Sequence, residues 1–347
     1  MNIGDKYMSY KPLDWSYVNL KKISKKIGAE NILKEITWLI KPYLYNYTFS
    51  AIYVEPTNAC NYECIMCHHK NLKRKQGFMS FDLYKKVVQE ALDNNVKIIR
   101  LSVFGEPLLH PNFIDMINYA ERRGMSIDFF SNASLLDSKK SRELLKTKIK
   151  NYIFSFEGAT KQTYEKVMKG GNFERSIKNI EEFLRIRKEL KSKAFVTIYS
   201  LYMSETSNEI NKLIEMWKNK VDAIGISKTI DYAGKVEKRF DQSLHKRRFP
   251  CVSLWDNPVI LWNGDVTVCC VDFEGELVVG NIKNQSLKKI WRGSEIGNLR
   301  KIHINRDFRK IPICYKCNSY LLIEDEVEYF YNPKYKTKYS KGELIFK

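Results

Sequence analysis

The sequence predicts an α/β protein: a parallel sheet covered by helices, followed by a smaller, cysteine-rich domain. Three observations carry this. Short apolar segments alternate regularly with helical patterns from about residue 51 to residue 227. The alternation stops after about residue 235, where the segments become short and turn-rich. Finally, the eight cysteines fall into two groups, three near residue 60 and five after residue 250.

The elements follow in order. Residues 15–43 read as helical, with apolar positions at Val18, Ile23, Ile27, Ile36 and Ile40, and Pro42 stops the run. Ala51 to Glu55 is a strand ending at Pro56. Ser80 caps a helix through about Leu92, with Leu83, Val87, Val88 and Ala91 on one face. Ile98 to Val103 is a second strand, and a helix from Pro111 to Arg123 ends at Gly124. Ser126 to Phe130 is a third strand, followed by a short helix over about 138–146. Tyr152 to Phe156, Phe195 to Leu201 and Ala223 to Ser227 are further strands, separated by helices over 173–190 and 205–219. Strands and helices in strict alternation imply a parallel sheet with helices outside it. Beyond residue 235, Asn263-Gly264-Asp265 between apolar runs reads as a hairpin turn. The expected organisation is an N-terminal helical segment (1–47), a core domain (48–235), a small cysteine-built domain (236–320) and a charged, tyrosine-rich tail (321–347).

The chain of 347 residues is 44% hydrophobic, enough for a sizeable core. It has no 18-residue apolar run and no apolar signal core, so a cytoplasmic protein without a membrane span is expected. The net charge of +19 fits either an anionic partner, such as RNA or a membrane surface, or lysines spread over solvated helix faces. The basic runs are short and scattered and no RNA-binding motif is recognisable, so nucleic acid is not the expected partner.

In a chain with these features the cysteines suit metal ligation or catalysis better than disulfides. Cys60, Cys64 and Cys67 have a C-x3-C-x2-C spacing and directly follow the first strand. Ligands of parallel sheets sit at the carboxyl ends of the strands. Three thiolates on one loop can bind three irons of a [4Fe–4S] cube and leave the fourth open. His68 and His69 are too close in sequence to reach that far iron easily. The alternatives are a zinc site with a distant fourth ligand, or three unrelated buried thiols.

With this spacing in this place, residues 48–235 resemble the radical S-adenosylmethionine superfamily. The resemblance implies a partial (β/α)6 barrel. It also implies that the open iron chelates S-adenosylmethionine, whose reductive cleavage yields methionine and a 5′-deoxyadenosyl radical that abstracts a substrate hydrogen. Further segments match in order. Phe104-Gly105-Glu106-Pro107 stands where the family has Gly-Gly-Glu-Pro, so Gly105, Glu106 and Pro107 are expected at the cofactor, with the Glu106 carboxylate accepting from its ammonium. Ser131-Asn132 stands where the family often has Thr-Asn-Gly near the ribose. Ser155-Phe156-Glu157-Gly158 resembles the Ser-x-Asp-Gly segment, with Glu157 longer than the usual Asp.

Cys251, Cys269, Cys314 and Cys317 form a second set, C-x17-C-x44-C-x2-C, which could hold a cluster or a structural zinc; Cys270 could exchange roles with Cys269. The set resembles the auxiliary-cluster domain named SPASM, or twitch in its one-cluster form. The matched features are Gly264-x4-Cys269, Gly280-Asn281-Ile282, Leu287 to Trp291 and Cys314-x2-Cys317. The resemblance implies one auxiliary [4Fe–4S] cluster and an external electron donor such as flavodoxin or ferredoxin.

The spacing is similar to that of members that oxidise an aminocyclitol alcohol. A sugar- or cyclitol-like small molecule, dehydrogenated or epimerised, is therefore the first expectation. A peptide substrate is the second; RNA modification and a non-enzymatic metal-binding role are weaker readings. Asp231, Tyr232, Asp256 and Asp272 fall near the expected inter-domain cleft, and each could equally cap a turn.

Overall fold

The computed structural model describes residues 49, 51–149, 151–237, 250–317, 329–332 and 337–340. The helix expected over 15–43 lies outside them. In the core domain the strands are β1 (Ile52–Val54), β2 (Ile98–Arg100), β3 (Ser126–Ser131), β4 (Asn151–Ser155), β5 (Phe195–Tyr202) and β6 (Ala223–Lys228). They lie side by side in sequence order and all pair in parallel. The sheet is open.

Helices α1 (Phe81–Asp93), α2 (Phe113–Arg122), α3 (Ser138–Lys146), α4 (Lys161–Val167), α5 (Phe173–Glu189) and α6 (Ile210–Trp217) connect the strands. Their starts follow from local chemistry. Ser80, Asp137, Thr160 and Asn172 each accept a hydrogen bond from a backbone N–H of the first turn, satisfying a donor that the helix leaves orphaned. Gly124, at φ +80°, follows the end of α2. Only α4 was not expected from the sequence.

Each strand has two unlike faces. Ile52, Val54, Ile99, Ile127, Phe129, Tyr152, Phe154, Val196, Ile198, Ile224 and Ile226 are almost fully buried and share one apolar core with helix residues such as Tyr84, Val87, Met116, Leu144, Phe183 and Trp217. Removing such side chains from water stabilises the fold by about 1.5–3 kcal/mol each. The opposite face is partly exposed along β1 to β4, where Tyr53, Arg100, Asp128, Asn151 and Ser155 alternate with Ile98, Phe130 and Ile153.

The cysteine-rich region continues the same sheet. Strand β7 (Val259–Ile260) pairs in parallel with β1, and β8 (Asp265–Thr267) and β9 (Val278–Asn281) follow in antiparallel. The hairpin expected at Asn263-Gly264-Asp265 joins β7 to β8, with Gly264 at φ +91°. Helices α7 (Ser253–Asp256), α8 (Leu287–Trp291), α9 (Ser294–Ile304) and α10 (Pro312–Lys316) pack around it. A Cβ at Gly280 would stand 2.8 Å from Ile290, so this glycine lets β9 lie directly on α8. At the other edge, β10 (Tyr329–Asn332) pairs antiparallel with β6, and β11 (Thr337–Ser340) with β10.

Candidate active site

The loop carrying Cys60, Cys64 and Cys67 leaves the carboxyl end of β1 and is held from several sides. The backbone N–H groups of Glu63 and Ile65 donate to the carbonyls of Lys169 and Val167 at 2.8 and 2.9 Å. Cys67 N–H donates to the Cys64 carbonyl at 3.0 Å, and His69 Nε2 closes the loop onto the Asn58 carbonyl at 2.8 Å. Tyr62 is buried beneath the loop near Ser176. All three thiols are strongly desolvated. Burial pushes Cys60 up to about 12, with Glu106 and Cys67 adding to the rise. Burial, then Cys67 and Cys60, raises Cys64 well above the usual thiol range. Buried thiols that raise one another this way ionise together only around a compensating cation, which fits a metal cluster.

The glycine of the Gly-Glu-Pro segment has two reasons to be there. Gly105 has φ +78°, and a Cβ on it would lie 2.5 Å from the Thr57 carbonyl oxygen and 2.6 Å from that of Ala59. The β2 loop thus rests directly on the backbone leading into Cys60, and Glu106 N–H donates to the Ala59 carbonyl at 2.8 Å. Glu106 Oε1 accepts from Leu108 N–H (3.1 Å) and Ser131 Oγ (2.9 Å), and Oε2 from Asn132 N–H (2.8 Å). A carboxylate has about four lone-pair positions, so these bonds leave one for the expected ammonium. Its main observed work is to tie the end of β2 to the end of β3. Burial lifts this carboxyl to about 7 against those three hydrogen bonds. Pro107 opens the short 3-10 turn that follows.

Asn132 reaches the cysteine loop. Its Nδ2 donates to Asn61 Oδ1 (3.1 Å), Asn61 Nδ2 donates to Ser134 Oγ (2.8 Å), and Ser134 Oγ donates back to Asn132 Oδ1 (2.6 Å). This ring, next to Cys60, was not read from the sequence; Asn61 and Ser134 carry no signature of their own. Glu157 plays a part parallel to Glu106 one strand pair further on. Its Oε2 accepts from Ser200 Oγ (3.0 Å) and Leu201 N–H (2.8 Å), and burial raises the carboxyl to about 7. Glu157 also acts on the Cys64 thiol, so it lies at the same site.

The sheet face opposite the helices extends the site. Tyr53, Arg100, Asp128 and Asn151 form one row across β1 to β4. Arg100 bonds Tyr53 Oη and faces Asp128 at 3.9 Å. Nearer the cysteine loop, Ser155 pairs with Tyr199 on β5 and Tyr199 with Gly225 on β6. A Cβ on Gly225 would stand 3.0 Å from the Tyr199 ring, whose hydroxyl meets Ser227 Oγ at 2.5 Å.

The second cysteine set is assembled from three separate segments. Cys251 precedes α7, Cys269 follows β8, and Cys314 and Cys317 lie in and just after α10. Cys251 N–H donates to His303 Nδ1 at 3.2 Å. Cys269, Cys314 and Cys317 border one apolar cluster, and the charges of Cys251 and Cys317 act on Cys269. Cys269 is half-buried and Cys270, which hydrogen-bonds it, is exposed. No cysteine is in a disulfide. Among the described residues no three His, Cys, Asp or Glu side chains close on a single ion; a cube binds each thiolate through a different iron and needs them further apart.

The two cysteine regions touch. Arg74 pairs bidentately with the fully buried Glu55 (3.0 and 2.7 Å), and its Nε donates to the Phe273 carbonyl at 2.7 Å. Glu274 accepts from the backbone N–H groups of Lys73 and Arg74 and meets His68 Nε2 at 3.2 Å. Phe104, at the position of the family's first glycine, stacks on Phe273 with ring centroids 3.9 Å apart. Of the four cleft candidates, Asp272 is a turn residue: it accepts from Thr267 Oγ1 and from the N–H groups of Glu276 and Leu277. Asp231 and Asp256 are buried, and Tyr232 rests on Phe273.

A strand-end triad of thiols on a parallel α/β sheet, with a second cysteine domain joined edge to edge, defines an iron–sulfur enzyme of the radical type. The chain belongs to the radical S-adenosylmethionine superfamily. The family model described as the Radical SAM superfamily matches residues 54–217, and that of the SPASM iron–sulfur cluster-binding domain matches residues 251–318. These domains imply an S-adenosylmethionine-binding [4Fe–4S] cluster and an auxiliary iron–sulfur cluster. The S-adenosyl-L-methionine-dependent 2-deoxy-scyllo-inosamine dehydrogenase of Niallia circulans is 24% identical over 82% of this chain and 98% of its own length. The subtilosin biosynthesis protein AlbA of Bacillus subtilis is 23% identical over 71% of this chain and 60% of its own. Several other curated relatives are matched over less than half of their length. Streptococcus suis SuiB bound to the precursor peptide SuiA shares the fold with TM-score 0.63 and 16% identity, covering 79% of this chain and 72% of that one. Among the described residues no helix is long and apolar enough to cross a membrane.

Proposed function

We propose that this enzyme dehydrogenates a polyhydroxylated small molecule, a sugar or cyclitol, held on the sheet face opposite the helices. The observation that carries this reading is the set of polar residues on that face, Arg100, Asp128, Ser155, Tyr199 and Ser227, interleaved with Ile153 and Phe130. Partly exposed hydroxyl, amide and charged groups of this density suit a ligand that hydrogen-bonds along its whole length. The near full-length match to a cyclitol dehydrogenase supports the same reading.

In this reading Cys60, Cys64 and Cys67 hold the first cluster, and Cys251, Cys269, Cys314 and Cys317 the auxiliary one. When bound, the first cluster with S-adenosylmethionine supplies a hydrogen-abstracting radical, and the auxiliary cluster supplies a sink for one electron. A carbinol that loses a hydrogen atom, its hydroxyl proton and that electron becomes a ketone. The chain's own residues would position the bound groups: Glu106 ties the ends of β2 and β3, Glu157 ties the end of β4 to β5, and the Phe104–Phe273 contact joins the two cysteine regions. The net charge of +19 favours an acidic, soluble electron donor such as flavodoxin or ferredoxin, and we place the protein in the cytoplasm.

The test uses reconstituted, reduced enzyme with 2-deoxy-scyllo-inosamine deuterated at its carbinol carbons. Deuterium in 5′-deoxyadenosine together with a ketone product is expected. Deuterium transfer with recovery of an inverted alcohol would replace oxidation by epimerisation. The AlbA and SuiB likenesses favour a peptide substrate as the second reading; turnover of peptides with no transfer from any polyol would establish it instead.

A further inference from the structure

Tyr232 lies where the two cysteine regions meet. It follows β6 in a turn in which Tyr232, Ala233 and Gly234 have φ of 48°, 60° and 77°. Two consecutive non-glycine residues in the left-handed region, one of them aromatic, cost roughly 1–2 kcal/mol each, and such strain gathers at functional sites. Here it aims a ring. The Tyr232 ring meets Phe273 edge-on, with centroids 4.6 Å apart.

The same side chain borders two apolar clusters. One includes Phe104, Phe273 and Cys67; the other borders Cys269, Cys314 and Cys317. The thiols of Cys67 and Cys64, that of Cys270 and the hydroxyl of Tyr199 are the polar neighbours that act on its phenol. Two other tyrosine hydroxyls near the site are engaged by protein groups: Tyr164 with Ser176 and Tyr199 with Ser227. No hydrogen bond from a described residue reaches the hydroxyl of Tyr232. A strained turn thus holds the Tyr232 side chain between the clusters that border the two cysteine sets.

We infer that the Tyr232 hydroxyl is a catalytic residue that donates a hydrogen bond to the oxygen of the carbinol being oxidised. This rests on the polyol reading. A donor on that oxygen fixes which carbon faces the radical source, and the bond strengthens as the oxygen becomes a carbonyl. The position between the cysteine sets also keeps that carbon close to the electron sink.

Tyr232→Phe keeps the ring packing on Phe273 and removes only the hydroxyl. With the deuterated 2-deoxy-scyllo-inosamine as probe, its kcat/KM and deuterium transfer should fall by roughly 10- to 100-fold, the effect of one hydrogen bond to a developing charge. Iron content and substrate-free cleavage of S-adenosylmethionine should stay at the wild-type level, which separates lost substrate contact from a damaged site. Tyr232→Phe with wild-type kcat/KM would overturn the inference while leaving the polyol reading intact. Absence of deuterium transfer in the wild-type enzyme would remove the polyol reading and this inference with it.

Discussion

The two cysteine regions are built on opposite plans. Cys60, Cys64 and Cys67 sit on one loop of eight residues, braced by Lys169, Val167, Asn58 and the Gly105 backbone. Cys251, Cys269 and the pair Cys314 and Cys317 come from three segments that only the folded domain brings together. The first site is organised by its own scaffold. In the second, the bound group must itself join distant parts of the chain, so metal binding and folding are coupled there.

The strongest way to break this comparison is a matched pair of substitutions. Cys64→Ala should abolish cleavage of S-adenosylmethionine, by on the order of 10³-fold or more, and remove about half of the iron while leaving the melting temperature little changed. Cys314→Ala should also remove about half of the iron but lower the melting temperature clearly, with substrate-free cleavage retained. Equal melting temperatures for the two variants would mean that the plans do not differ in this respect.

A smaller effect probes the seam between the regions. Arg74→Met leaves Glu55 as a buried, uncompensated carboxylate, so unfolding free energy should drop by about 3–5 kcal/mol in denaturant titrations. Adding Glu55→Gln should restore part of the loss. Gly105→Ala comes next: its left-handed backbone and the 2.5 Å approach to the Thr57 carbonyl predict about 2 kcal/mol of destabilisation, with loss of substrate-free cleavage.

A last probe is the pH dependence of the braced side. Glu106 and Glu157 have carboxyls raised to about 7, above their unfolded value of 4.5. The folded protein then holds more protons than the unfolded chain between those values. Stability is fully present below about 4.5 and is lost as pH rises through about 7. Chemical denaturation of the cluster-free protein across that range should show the slope, and Glu157→Gln should reduce it; an unchanged slope would move its origin elsewhere.

The braced plan is also the legible one. The C-x3-C-x2-C spacing, the strand before it and the order of the later strand-end segments all sit in short stretches of sequence. What escaped reading depends on distant contacts. Phe104 looked like a lost glycine, yet it packs on Phe273, a partner that no local pattern discloses. The two residues of β7 are too few to show a period, and their pairing with β1 makes the cysteine-rich region an extension of the main sheet. Helix α4 is one short amphipathic piece next to a much longer one. Cys269 and Cys270 are adjacent in sequence, so spacing alone does not separate them; their burial differs only in the folded domain.

The C-terminal hairpin has a consequence for synthesis. The edge of β6 is covered by β10, which is made about a hundred residues later. Until then a nascent chain carries a finished row of parallel strands with one flank of unpaired backbone groups, the kind of surface on which other chains nucleate. A ribosome-stalled or truncated product ending after Cys317 but before β10 should thus be far more prone to self-association than the complete chain, although it already contains every cysteine.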